Sequence, residues 1–127
     1  MKPSVRAALL WAAGALMGFA ALVNAFVGVP HLREDLVEIH VRPTLLRAVS
    51  VGMQFGAYAM FAFALIVLHA GARAARGEAT ARLPLAIIAI LYAAFGITVF
   101  VAMGSPHAFG YALAGLAVGI AAAAPEP

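Results

Sequence analysis

The sequence predicts an all-helical integral membrane protein, and two observations carry this prediction. Hydrophobic residues make up 65% of the 127 residues and charged residues only 10%, with a mean hydropathy of +1.03. Four apolar segments without an acidic side chain, at about 5–29, 45–70, 83–103 and 106–124, fill most of the chain. Because a helix needs about 20 apolar residues to cross a bilayer core, we expect one transmembrane domain, 1–127, built as an antiparallel four-helix bundle.

The first segment follows Lys2 and Arg6, and we interpret it as a span that the protein retains. Its apolar run from Ala7 to Val23 is longer than the core of a secretory signal, which has about 7 to 15 residues. A cleaved signal peptide is the alternative, because the sequence after the run resembles a cleavage site. Cleavage would leave only three spans, so retention is favoured.

The connection between the first two spans has the pattern of a short interfacial helix. His31, Asp35 and Glu38 fall within about 60° of one another on a helical wheel, with apolar residues to one side. Pro43 is expected to end this helix before the second span. The third connection, 104–106, is short enough for a tight helical hairpin.

Spans one and three end on similar sequences, which suggests a tandem duplication of a two-helix hairpin. The first ending is Gly28-Val29-Pro30-His31 and the second is Gly104-Ser105-Pro106-His107. Parallel repeats of this kind are a known way to build membrane proteins. Glycine followed closely by proline is also an ordinary helix stop, so shared turn chemistry is the alternative.

The distribution of basic residues predicts the topology. If the N-terminus lies on the cytoplasmic side of the membrane (inside), five basic residues lie inside and three lie on the other side (outside). The positive-inside rule favours this arrangement. We therefore expect both termini to be cytoplasmic in a bacterial-type inner membrane. The high pI is then explained by topology and not by nucleic-acid binding. The inside residues are Lys2, Arg6, Arg73, Arg76 and Arg82, and the outside residues are Arg33, Arg42 and Arg47.

Three spans contain the pattern Gly-x-x-x-Gly, which lets helix backbones approach closely in lipid. Packing within the bundle is the simplest use of these pairs. A homo-oligomer or a larger membrane complex is the alternative. The pairs are Gly14 with Gly18, Gly52 with Gly56, and Gly115 with Gly119.

The second span carries the clearest polar pattern. Four hydrogen-bonding side chains fall within about 80° of one another on the helical wheel and form what we call the polar stripe: Arg47, Ser50, Gln54 and Tyr58. Polar groups in a span avoid lipid, so we expect the stripe to face the bundle interior, toward Asn24 on span one and Thr98 or Tyr92 on span three. Ordinary hydrogen bonding between helices is the alternative to a ligand pocket. The candidate pocket, in the outer half of the bundle, consists of Asn24, Arg47, Ser50, Gln54, Tyr58 and Thr98.

A second candidate site is a divalent-metal site formed by His31, Asp35, Glu38 and His107. Imidazole and carboxylate ligands suit zinc, iron or manganese, and the first three residues share one helical face. No specific signature such as His-Glu-x-x-His accompanies them, so ordinary contact with water and lipid headgroups is the alternative.

Three hypotheses for function follow from these patterns. The leading one is a non-enzymatic accessory or scaffold protein that binds a lipid headgroup, a quinone-like molecule or a small solute, with Arg47 contacting an anion. The first alternative is a metal-dependent or quinone-linked oxidoreductase that uses the outer histidines. The second is a small-solute transporter with a path along Gln54 and Tyr58, although the spans lack the acidic residue usual in proton-coupled transport. Cysteine is absent, which excludes disulfides and thiolate metal sites.

Overall fold

The computed structural model describes residues 1–125, and every regular element in this part of the chain is helical. The predicted all-helical class is confirmed. The last two residues of the predicted 1–127 domain lie outside the described part. The elements are α1 (Pro3–Val23), a π-helical turn (Asn24–Gly28), α2 (Val29–Glu38), α3 (Pro43–Ala75), α4 (Arg82–Met103) and α5 (Ala108–Ala123).

Three helical segments are long and apolar enough to cross a membrane: Pro3–Glu38, α3 and α4. Large apolar side chains lie on the outer surface, including Val101, which is 78% exposed, and Phe26, which is 76% exposed. A surface of this kind is suited to lipid, which supports an integral membrane protein. The fourth apolar segment forms only the 16-residue helix α5, which is about 24 Å long and shorter than a bilayer core of about 30 Å.

The helix of the first span does not stop at Pro30, as the sequence suggested, because the chain stays helical from α1 into α2. The predicted helix of this connection is therefore present as α2 but continues α1 without a break. A widened turn joins them, in which the N–H of Val29 donates to the carbonyl of Asn24. Pro30 has no N–H, and in a regular α-helix its ring would clash with the carbonyl of Phe26. A π-helical turn just before Pro30 gives the ring room and keeps the helix going.

The matching sequence at the end of α4 does stop its helix. Gly104 adopts a left-handed conformation with φ of 59°, and its N–H donates to the carbonyl of Phe100 at 2.9 Å. This is a common helix ending that favours glycine. Gly28, by contrast, keeps right-handed helical angles. The two similar sequences therefore have different conformations, and a tandem duplication stays a prediction.

The helices pack as two antiparallel pairs, α1 with α3 and α4 with α5. The pairs meet through α1 and α5, whereas α3 and α4 make little contact within the described residues. The order of neighbours is therefore α3, α1, α5, α4. The core consists mainly of alanine with a few larger side chains at the contacts, of which Leu10, Met17, Leu85, Val67 and Val118 are the largest that are fully buried.

Glycine explains how closely the helices of each pair approach. A Cβ atom at Gly14 in α1 would lie 2.7 Å from Cγ of Leu68 in α3, and one at Gly115 in α5 would lie 2.8 Å from backbone atoms of α4. Among residues 1–125, nothing lies within 4 Å of a Cβ atom placed at Gly52 or Gly56 in α3. Two of the three Gly-x-x-x-Gly pairs therefore contribute to packing within the chain, and the pair in α3 does not.

A buried arginine joins three elements at the end of the molecule opposite the π-helical turn. Arg6 in α1 is only 3% exposed; its Nε donates to the carbonyl of Ala121 in α5 at 2.9 Å, and its Nη2 donates to Oγ1 of Thr80 at 2.7 Å. The last four carbonyls of a helix have no partner within it and lie at the negative end of its dipole. Arg6 therefore satisfies and stabilises the C-terminal end of α5, in addition to its predicted role as a topology signal.

The basic loop between α3 and α4 is organised by Glu78, which accepts hydrogen bonds from Arg73 and Arg76. The hydrogen bond from Arg76 is the main cause of a lowered pKa for the Glu78 carboxyl, and the same bond raises the pKa of Arg76. The carboxylate is therefore ionised at neutral pH and neutralises part of the loop's positive charge.

Candidate ligand-binding cavity

The structure contains a cavity of about 520 Å³ between the C-terminal half of α1, the π-helical turn, and the α4–α5 pair. This volume is within the range of small-molecule sites, about 300 to 1,000 Å³. We call it the α1–α5 cavity. Its lining is mostly apolar side chains and glycine, with four polar residues: Asn24, Tyr92, His107 and Tyr111.

The cavity extends from the middle of the helices to the end that carries the π-helical turn. Tyr92 lies near the midpoint of α4, about 16 Å from the end of that helix at Met103. Pro106 and His107, in the turn before α5, line the other end of the cavity, and His107 is exposed. A molecule in this space would therefore have one part deep among apolar helices and another near the surface.

The hydroxyl of Tyr92 is the most unusual polar group of the cavity. The residue is 5% exposed, and its oxygen is buried without a hydrogen-bond partner within the described residues. A buried hydroxyl left unpaired costs about 1 to 3 kcal/mol, so a group of this kind calls for an explanation. The ring is held beside Tyr111, with centroids 6.3 Å apart, and Tyr111 makes an edge-to-face contact of 4.9 Å with Phe95.

Asn24 places an amide group at the cavity wall from the first position of the π-helical turn. Its Nδ2 lies 4.0 Å from Sδ of Met60 in α3. A thioether sulfur is a weak acceptor, so this contact uses little of the donor capacity of the amide. The turn also makes room for the side chain, because Oδ1 of Asn24 occupies space beside Gly28.

We expect Gly28→Ala to displace the Asn24 amide, because the new Cβ would lie 2.8 Å from Oδ1. Overpacking of this kind should lower the free energy of unfolding by about 1 kcal/mol. Unfolding in mixed micelles with increasing dodecyl sulfate, followed by circular dichroism, measures the loss. If Asn24 is first replaced by alanine, Gly28→Ala should lower the free energy of unfolding much less. An equal loss with and without the Asn24 side chain would contradict the contact between Oδ1 and the new Cβ. Gly56→Ala is the control, because its Cβ meets nothing within 4 Å.

The predicted pocket residues do not come together around one site. Only Asn24 lines the α1–α5 cavity. Ser50 and Gln54 instead line a separate, more open groove of about 730 Å³ between α2 and α3, together with Arg33 and Glu34. Ser50 donates its hydroxyl to the carbonyl of Leu46 at 2.7 Å, within its own helix.

Three other residues of the predicted pocket lie on the outer surface. Tyr58 is 64% exposed, Arg47 is exposed, and exposed Thr98 donates its hydroxyl to the carbonyl of Ala94 at 2.9 Å. The face of α3 that packs against α1 carries small buried residues such as Ala64. This face lies about 100° around the helix from the centre of the polar stripe. Close packing of these small residues therefore leaves the polar stripe beside the interface and not within it.

The residues predicted to bind a metal are also separated. Within residues 1–125, no group of three or more His, Asp or Glu side chains is arranged to hold a metal ion. His31, Asp35 and Glu38 are exposed on α2, whereas His107 lines the α1–α5 cavity. The physical reason is that α2 continues α1 and does not fold back over the α4–α5 turn.

No protein-family model, curated protein or solved structure matches this chain. The chemistry of the cavity must therefore be inferred from its own residues. Sequence reasoning identified Asn24 as a polar group within a span, and it named Tyr92 only as a residue on span three that the polar stripe of span two would face. It missed Tyr111 and Gly110, since a tyrosine and a glycine in an apolar segment carry no signal that they line a cavity.

Proposed function

We propose that this protein is a small, non-enzymatic accessory protein of a bacterial-type inner membrane that binds one amphiphilic molecule in the α1–α5 cavity. In this proposal four antiparallel helices lie in the membrane with both termini cytoplasmic. The observation that carries the proposal is the buried hydroxyl of Tyr92, which has no partner within the described residues and belongs to a residue that lines a mostly apolar cavity.

An amphiphile fits the chemistry of this cavity. Small-molecule sites are typically apolar with a few polar groups that orient the ligand, and here Asn24 and Tyr92 supply such groups in an apolar lining. A hydrogen bond formed away from water is stronger than one at the surface, so a ligand that pairs with Tyr92 also removes the cost of an unsatisfied hydroxyl. Molecules of this type are dissolved in the bilayer that surrounds the apolar outer surface.

The second partner in this proposal is another protein chain at the face of α3 that carries Gly52 and Gly56. Small residues at this spacing permit close helix contact in lipid, and nothing in the described residues lies within 4 Å of a Cβ atom at either position. A second copy of the chain or a subunit of a larger membrane complex would use this face. The bilayer itself covers the remaining apolar surface.

Filling the cavity provides the test of binding. Gly110 lines the cavity, and a Cβ atom there would meet nothing within 4 Å, so Gly110→Leu adds volume without a backbone clash. We expect native mass spectrometry of protein extracted in a mild maltoside detergent to detect a bound small molecule, and Gly110→Leu to lose it. Ala94→Leu is the matched control, because Ala94 is exposed on α4 and does not line the cavity. Equal retention by Gly110→Leu and the unsubstituted protein would contradict the proposal.

A further inference from the structure

We infer that the α1–α5 cavity selects an uncharged amphiphile whose head carries a hydrogen-bond-accepting carbonyl, and that Tyr92 donates its hydroxyl proton to that oxygen. This inference rests on the proposed binding function and specifies the class of ligand. A quinone ring and the ester group of a neutral glycerolipid share this chemistry.

The charge of the lining argues for an uncharged head. Among the described residues that line the cavity there is no Lys, Arg, Asp or Glu. The one imidazole among the described lining residues is that of His107, which is exposed at the loop end of the cavity and not beside Tyr92 at mid-helix. A carboxylate or phosphate placed deep in the cavity would lose its water without gaining a counter-ion, which is strongly unfavourable.

The hydrogen-bonding groups argue for an acceptor on the ligand. The Tyr92 hydroxyl has a proton to donate and no acceptor within the described residues. In the described part of the chain, the hydrogen-bond contact of the Asn24 Nδ2 is to the weak acceptor Sδ of Met60, at 4.0 Å. Asn24, in the π-helical turn, and Tyr92, in α4, both line the cavity. Two donors match a carbonyl oxygen, which has two lone pairs.

The aromatic residues of α4 and α5 argue for a flat head group. Tyr92 and Tyr111 lie with ring centroids 6.3 Å apart, and both line the cavity. Aromatic faces favour offset or edge contacts with another ring. The apolar side chains Leu16, Phe19 and Val27 along α1 and its π-helical turn provide the surface for a hydrocarbon tail.

The test compares three probes on detergent-purified full-length protein: decylubiquinone, dioleoylglycerol and, at pH 8, ionised oleate. We expect at least one uncharged probe to bind with one molecule per chain by native mass spectrometry, and oleate to bind about tenfold more weakly or not at all. Preference for decylubiquinone would support the ring carbonyl, and preference for dioleoylglycerol the ester carbonyl. Tyr92→Phe removes only the hydroxyl and should weaken binding of the uncharged probe about two- to tenfold.

Tyr58→Phe is the matched control for Tyr92→Phe, because Tyr58 is exposed and outside the cavity. Circular dichroism confirms that both variants are folded. If oleate binds as tightly as the uncharged probes, or if Tyr92→Phe leaves affinity unchanged while Gly110→Leu still blocks binding, the ligand class is wrong but the cavity is still a binding site. If no probe binds and Gly110→Leu releases no co-purified molecule, the proposed function fails together with this inference.

Discussion

Gly115→Val is expected to disrupt the pairing of α4 with α5. A Cβ atom at Gly115 would lie 2.8 Å from both the carbonyl oxygen of Ala89 and the backbone nitrogen of Ala93. A second close approach lies along the same helix pair, because a Cβ at Gly96 in α4 would lie 2.8 Å from the backbone nitrogen of Ala112. Backbone atoms within helices cannot move aside individually, so the helices must separate. We expect the free energy of unfolding to fall by about 3 kcal/mol or more.

Unfolding in mixed micelles with dodecyl sulfate, monitored by circular dichroism and by protease sensitivity, measures this loss. Ala94→Val is the control: it introduces the same β-branched residue into α4, but at an exposed position. The control should change the unfolding free energy by less than about 1 kcal/mol. Similar unfolding of the two variants would show that α4 and α5 are not in backbone contact at Gly115.

Arg6→Ala is expected to have a comparably large effect, through lost hydrogen bonds and a new void. The side chain is 3% exposed and makes two short hydrogen bonds, to the carbonyl of Ala121 and to Thr80. Hydrogen bonds from a charged group contribute about 1.5 to 3 kcal/mol each, and a buried void adds to the cost. We expect the free energy of unfolding to fall by about 3 kcal/mol, measured in the same micelle assay.

Two variants separate this structural role from the role of Arg6 in topology. Arg6→Lys keeps the positive charge that directs insertion, but an ammonium group cannot reproduce the paired geometry of a guanidinium. It should therefore insert normally and lose part of the stability. Arg47→Ala removes an exposed arginine and should change stability by less than about 0.5 kcal/mol. An Arg6→Ala protein as stable as Arg47→Ala would refute the buried contacts.

Local sequence patterns predicted where helices form, but not in every case where they end. Composition and segment length predicted helices in a membrane, because the bilayer imposes internal hydrogen bonding on any span. The same rules failed at Pro30, where a π-helical turn absorbs the proline and the helix continues. They succeeded at Gly104, where a left-handed glycine ends α4. Nothing in the shared Gly-x-Pro-His pattern distinguishes the two cases.

The sequence likewise identified only part of the cavity lining. Asn24 was predicted because an amide in an apolar span requires a partner. Gln54 and Tyr58 were predicted by the same rule, yet they lie in a separate groove and on the surface. Helical periodicity shows that polar residues share a face, but it does not show which face packs. In α3, small residues such as Ala57 and Ala64 allow closer contact and so determine the packed side.

The sequence by itself determined that this protein is helical, that its surface is apolar, and that at least three segments are long enough to span a bilayer. These properties follow from composition and periodicity, which act locally along each segment. Only the tertiary structure decided that α1 lies between α3 and α5, that Tyr92 and Asn24 line one cavity, and that Arg6 reaches the end of α5. Such properties depend on which helix faces approach most closely, and the side chains of all the helices together determine those faces.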